Sequence, residues 1–256
     1  MFDFGNANDG QRQAISTTEG PVLITAGPGT GKTYTLVQRA IYLIEERGVK
    51  PEDIFIATFT EKAAKELITR ITNELASRNI TVNVNGMYVG TFHSLCLRII
   101  KDHLEYTRLK KNYRLLDTFD QQYLVFRNIY KFRTISGIEN VMPKGGAWKW
   151  AQAICEFSNN LIEEVVDIDA MLSDHDMEIS TIAKVVNTYQ AMLDEENLID
   201  FSAIQTECYR LLKENKDILE DFRNSIKYIM VDEYQDTNYI QEQIIFLLGI
   251  HENICV

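Results

Sequence analysis

Eight residues, Ala26-Gly27-Pro28-Gly29-Thr30-Gly31-Lys32-Thr33, constrain this chain more than any other segment. Glycines at alternate positions open backbone conformations closed to other residues, so that successive N–H groups can surround phosphate oxygens. Lys32 then offers a cation to the β- and γ-phosphates and Thr33 a hydroxyl to Mg²⁺. The helix starting there adds a favourable dipole. Before the loop, Pro21-Val22-Leu23-Ile24-Thr25 reads as a buried strand; after it, Lys32 to Glu46 reads as a helix. Strand, glycine-rich turn and helix in that order form the context in which such a loop binds phosphate, as a P-loop does.

The rest of the chain extends that pattern. Ile54-Phe55-Ile56-Ala57 reads as a second strand. A helix follows with Thr60 as N-cap and Ala64, Leu67, Ile68, Ile71 and Leu75 on one face. Met87-Tyr88-Val89 reads as a third strand, and strand character returns at 227–231 and 253–256. Strands alternating with helices predict an α/β fold with a doubly wound parallel sheet. From 105 to 196 only helical patterns occur, such as Ile179, Ile182, Val186, Tyr189 and Leu193, with Pro143-Lys144-Gly145-Gly146 as the clearest breaker. The expected organisation is an α/β domain, residues 1–104 and 197–256, interrupted by an all-helical insertion, residues 105–196.

Val231-Asp232-Glu233-Tyr234-Gln235-Asp236 is the second anchor. An apolar run delivers two adjacent carboxylates to the C-terminal end of a strand, where open α/β sheets bind ligands. Asp232 is placed to hold Mg²⁺, and Glu233 to orient and deprotonate an attacking water. Alone, such a pair is commonly a solvated turn; together with the phosphate loop it marks a nucleoside triphosphatase, with ATP and Mg as its cofactors.

Composition sets the outer limits. With 37 acids against 26 bases the formal charge is −11, which excludes gripping nucleic acid through overall positive charge but not through a local groove. No apolar run approaches the roughly 18 residues that span a bilayer. The N-terminus lacks the basic start and apolar core of a secretory signal. Cys96, Cys155, Cys208 and Cys255 lie far apart, suggesting neither a zinc site nor a disulfide framework. The expected setting is cytoplasmic, with no membrane partner.

The motifs, in their order, resemble the N-terminal portion (subdomains 1A and 1B) of UvrD/PcrA/Rep-type DNA helicases of superfamily 1A, RecA-like P-loop motors. Asn8 to Ile15, NDGQRQAI, resembles the Q motif, whose glutamine (here Gln11) reads the adenine edge. Thr58 to Leu67, TFTEKAAKEL, resembles motif Ia, with Glu61 where the family often has Asn. Gly90 to Leu95, GTFHSL, resembles motif Ib. Asp200-Phe201-Ser202-Ala203-Ile204 resembles the segment that re-enters the α/β domain, and Val231 to Gln241, VDEYQDTNYIQ, resembles motif II. The resemblance implies that Ala26, Gly27, Pro28, Gly29, Thr30, Gly31, Lys32 and Thr33 bind nucleotide, and that Thr33 and Asp232 hold Mg, the acid through water. Lys32, Asp232 and Glu233 are the implied catalytic set. Phe59, Thr60, Thr91, Phe92 and His93 would line a single-stranded DNA track, with bases stacked on rings.

It further implies an ATP-driven translocase moving 3′ to 5′ that unwinds duplexes. Its partners would be single-stranded DNA, single-strand/duplex junctions and a second RecA-like domain. The motif III expected after Asn253-Ile254-Cys255-Val256 does not follow, so the chain is expected to be a truncated motor half that binds nucleotide with little turnover. The alternative is a stand-alone P-loop ATP-binding module or ATPase that does not unwind DNA. The insertion supplies one further expectation. Seven bases face two acids between Arg108 and Arg133, whereas three lysines face thirteen acids from Thr134 to Asp200. The basic block reads either as a phosphate-contacting surface or as a solvated helix face.

Overall fold

Residues 2–256 are described by a computed structural model. In chain order the elements begin with α1 (Asp9–Ser16), α2 (Lys32–Glu45), β1 (Ile54–Thr58), α3 (Glu61–Ser77), β2 (Tyr88–Thr91) and α4 (Phe92–Asp102). They continue with β3 (Arg114–Leu115), α5 (Thr118–Arg127), α6 (Ile129–Arg133), α7 (Ile138–Val141), α8 (Ala147–Glu163), α9 (Ile168–Leu172) and α10 (Met177–Glu195). The last are β4 (Leu198–Ile199), α11 (Phe201–Glu214), α12 (Lys216–Ser225), β5 (Tyr228–Val231), α13 (Tyr239–Leu248) and β6 (Ile254–Cys255). Contacts divide them into two units, one of Met1–Arg98, Leu212–Thr237 and Gln241–Val256, the other of Ile99–Leu211 and Asn238–Ile240.

The first unit is built on a parallel sheet in the order β2-β1-β5-β6. Every residue of β1 and β5 is buried, as central strands of a parallel sheet covered on both faces require. The run Ile-Phe-Ile-Ala-Thr supplies the β-branched and aromatic side chains that fit such a position. Against it pack Leu36, Ala40, Ile41 and Ile44 of α2 and Leu67, Ile71 and Leu75 of α3. Thr60 caps α3 as its sequence suggests, its hydroxyl accepting from the Ala63 N–H at 3.1 Å.

One expected strand differs. Pro21–Thr25 forms a single bridge from Val22 to Cys255, with Val22 and Ile24 donating backbone hydrogen bonds to Ile254 and Val256. Val22 and Ile24 pack on the core while Leu23 is exposed. The segment is an extended edge running beside β6, covered on one face, rather than a buried strand.

Helices dominate the second unit, whose core joins Leu124 and Val125 of α5, Ala151, Ile154 and Cys155 of α8, and Val185, Tyr189 and Leu193 of α10. It is not wholly helical. Arg114–Leu115 pairs in parallel with Leu198–Ile199, a ladder too short to leave a periodic signal in sequence. The basic block also resolves differently from a uniform positive surface. Arg108 pairs with Asp194 and Glu207, Arg127 with Glu196, and Lys131 with Glu195. Three of its seven cations are thus paired with acids within the unit.

Candidate nucleotide and nucleic-acid site

The glycine-rich loop owes its shape to two left-handed glycines, Gly29 (φ 73°) and Gly31 (φ 92°). The Thr30 hydroxyl donates to the Gly27 carbonyl at 2.7 Å and closes the turn. α2 begins at the next residue with no side-chain cap at Gly31, so no side chain satisfies its first-turn N–H groups, an arrangement of the kind that suits an anion. Gln11 braces the loop from behind. Its Oε1 accepts from the Asn8 N–H at 3.0 Å in a capping box that starts α1, and its Nε2 donates to the Thr30 carbonyl at 3.1 Å. A cleft of about 700 Å³ opens here, lined by Asn8, Gln11, Ala14 and Thr17 on one side and by Ala26, Gly27, Thr30 and Lys32 on the other.

The second turn follows β5. The Asp232 N–H donates to the Ala57 carbonyl at 2.9 Å, tying the end of β5 to β1. Glu233 is held in the left-handed region at φ 54°, a strained backbone of the kind concentrated at functional turns. Its Oε2 accepts from Gln235 Nε2 at 2.7 Å and from Lys32 Nζ at 3.2 Å. Those two hydrogen bonds, Gln235 first, hold the Glu233 carboxyl below the usual range. Asp232 moves the other way: burial and the neighbouring Glu233 charge push it up, against the pull of Lys32. A pocket of about 280 Å³ is lined by Ala26, Lys32, Asp232, Glu233 and Gln235, so the implied catalytic set shares one cavity. Thr33 lies in the first turn of α2, next to Lys32.

Among the described residues no cluster of three or more His, Cys, Asp or Glu side chains could hold a metal by itself. Mg²⁺ bound through one or two carboxylates plus substrate phosphates needs no such cluster. The raised Asp232 carboxyl and the Thr33 hydroxyl are hard oxygen donors that fit it.

A smaller cavity of about 120 Å³ is lined by Thr58, Phe59, Thr91, Phe92, His93, Asp232, Glu233, Asp236, Thr237 and Gln241. Phe59, just past β1, is 66% exposed, whereas Phe92 is 6% exposed. Phe92 therefore forms a wall of the cavity instead of projecting as a platform. Thr60 is engaged as the α3 cap. The Thr91 hydroxyl donates to Glu61 Oε1 at 2.9 Å, which gives the unusual acid in TFTEKAAKEL a local partner and ties that segment to GTFHSL. Gln235, Asp236, Thr237 and Gln241 were given no role from sequence. Their place within VDEYQDTNYIQ was the only signal, and it does not reveal which side chains turn inward.

A family model described as UvrD/REP helicase N-terminal domain matches residues 7–256. The chain is 34% identical over 252 residues to the ATP-dependent DNA helicase PcrA of Staphylococcus epidermidis, covering 98% of this chain and 33% of that protein. It is 32% identical over 250 residues to the PcrA of Staphylococcus aureus, covering 97% and 32%. It thus spans about a third of the length of the curated relatives it matches. No helix among the described residues is long and apolar enough to cross a membrane. Because the match runs through both units and is not confined to the phosphate loop, the chain belongs to the UvrD/REP helicase N-terminal domain family.

Proposed function

We propose that this chain is the ATP-binding motor half of a DNA helicase that translocates 3′ to 5′ on single-stranded DNA and works with a second RecA-like domain. Residues 1–104 and 197–256 are the motor domain in this reading, and 105–196 its insertion. What carries it is that Asp232 and Glu233 line two cavities at once, one with Lys32 and the phosphate loop and one with Phe59 and His93. A change at the γ-phosphate is therefore felt by the residues assigned to DNA.

Lys32 and the first-turn N–H groups of α2 receive the phosphates, and Gln11, beside the Thr30 carbonyl, reads the adenine edge. Bound Mg²⁺ would neutralise phosphate charge, held by Thr33 and, through water, by Asp232. Glu233 accepts the proton of the attacking water. Lys32 is the one cation among the described residues lining the two nucleotide pockets. Charge developing on the transferring phosphoryl group is thus under-compensated, and turnover by these 256 residues is slow.

The test is the affinity of the chain for oligo-dT with and without a non-hydrolysable Mg-ATP analogue. The analogue shifts wild-type affinity and leaves Lys32→Ala unchanged. DNA affinity indifferent to nucleotide in the wild type overturns the coupling, and brisk DNA-stimulated turnover that vanishes in Asp232→Asn overturns the slow-turnover assignment.

A further inference from the structure

One helix face of the second unit carries aromatic rings into solvent. On α5, Phe119, Tyr123 and Phe126 are 63%, 49% and 39% exposed, while Gln121, Leu124 and Val125 are buried. Spacing of four and then three residues places the exposed rings on one stripe. The Phe119 and Tyr123 rings lie within 6° of parallel at 6.2 Å between centroids, and Tyr123 and Phe126 within 27° at 6.5 Å. Trp148, in the first turn of α8, flanks them at 5.9 Å from Phe119 and 5.5 Å from Phe126. Four rings gathered at the surface give up burial that a core position would return.

We infer that this ladder is a second binding site for single-stranded DNA, on which unpaired bases stack while adjoining cations meet the phosphates. The substrate class rests on the function proposed above; the site rests on its own geometry. Near-parallel, accessible rings offer the flat faces that unpaired bases seek, whereas paired bases in a duplex have no free face. Between Thr118 and Lys149 the cations are Arg127, Lys131, Arg133, Lys144 and Lys149 against Asp120 and Glu139, within a chain of charge −11. Arg127 and Lys131 are engaged by Glu196 and Glu195. Lys144 and Lys149 are exposed and bracket Trp148 in sequence, and the N-cap of α8, Gly146, makes no side-chain cap. Lysines beside exposed rings suit a polyanion better than a protein partner, since interfaces between proteins are depleted in Lys.

Tryptophan emission tests the assignment. The chain has two tryptophans. Trp150 packs against the core of the second unit and its Nε1 donates to the Pro143 carbonyl, so Trp150→Phe leaves Trp148 as the reporter. Saturating oligo-dT quenches that emission, and the quench persists in the Phe59→Ala/His93→Ala background. Combined Phe119→Ala, Tyr123→Ala and Phe126→Ala weaken binding of a labelled strand at least about tenfold, within the range for losing stacked bases. ATP-analogue affinity in that variant stays at the wild-type value. Lys144→Gln with Lys149→Gln lowers the slope of log K against log salt by about 1.4, the share of two phosphates on a single strand. Strand binding that leaves Trp148 unquenched and is equal in the triple variant overturns the ladder and leaves the proposed function standing, the aromatic face then being open to a protein partner. Failure of the wild-type chain to bind the strand at all overturns both.

Discussion

Lys32 Nζ lies 3.2 Å from Glu233 Oε2, joining two motifs separated by 201 residues of sequence. In the proposed function the cation that receives the phosphates is thus already shared with the carboxylate assigned to the attacking water, so a nucleotide would compete with Glu233 for it. Glu233→Gln is therefore expected to bind an ATP analogue more tightly, by up to about fivefold, the worth of a partly exposed ion pair. Hydrolysis falls by at least about 10²-fold if Glu233 is the general base. Because its hydrogen bonds hold Glu233 below the usual range, the difference from wild type is full at neutral pH. It fades only as pH falls through that lowered value. Titration with a fluorescent analogue checks this; unchanged affinity in Glu233→Gln shows that the pair does not compete.

Asp232 carries the opposite sign. Burial and the Glu233 charge raise its carboxyl, so holding it ionised costs folding free energy. That cost is absent below the ordinary aspartate value of 3.8 and complete once pH has risen through the raised value. Asp232→Asn removes the charge at nearly constant shape. The variant is expected to melt above wild type at neutral pH, with the gap closing as the buffer is acidified, and to lose the Mg²⁺ dependence of nucleotide binding. A melting point at or below that of wild type at neutral pH would refute the assignment of a destabilised carboxylate.

Gly29 and Gly31 separate two kinds of glycine requirement. Both are left-handed, but a Cβ at Gly29 meets nothing within 4 Å, whereas one at Gly31 lies 2.8 Å from Gln11 Nε2. Gly29→Ala carries the left-handed penalty alone, about 1–2 kcal/mol. Gly31→Ala adds the clash and the disturbed Gln11 contact with Thr30, worth about another 1 kcal/mol. At about 2–4 °C per kcal/mol for a chain of this size, the two variants separate in a thermal melt, and Gly31→Ala binds nucleotide less well. Equal melting points would mean that Gln11 yields freely.

The α/β core was legible in the sequence because its signals are local. Glycines before Lys32 and Thr33, the all-buried run of β1 and the DE pair after β5 each announce themselves within a few residues. The Pro21–Thr25 edge misled because an apolar run carries no information about whether both of its faces are covered. Phe92 and Phe59 look alike in sequence, and only the packing of α4 sends one inward and leaves the other at the surface. The ion pairs that spend Arg108, Arg127 and Lys131 join residues 64 to 99 apart, a separation that charge counting along the chain cannot resolve. The rings of the α5 ladder are spaced locally, at 119, 123 and 126, but their exposure and the approach of Trp148 from α8 are set by packing that the sequence does not spell out.

Asp200 shows how much of the second unit depends on such a hidden relation. One of its oxygens accepts from the Ala203 N–H at 2.8 Å, in the first turn of α11, and the other from the Tyr189 hydroxyl at 2.5 Å and Gln121 Nε2 at 3.2 Å. The carboxylate thus binds α5, α10 and α11 together, and burial pushes the Tyr189 phenol far above its ordinary value, so it remains a donor at any working pH. Tyr189→Phe keeps the ring and removes that donor from a buried acceptor. The expected cost is about 1.5–3 kcal/mol, the range for hydrogen bonds to charged groups, seen as a melting point lower by several degrees. Asp200→Asn shares the same contacts, so the double variant costs less than the sum of the two. Additive costs in that cycle would mean that the two side chains act independently, and a neutral Tyr189→Phe would mean that the short contact contributes nothing to stability.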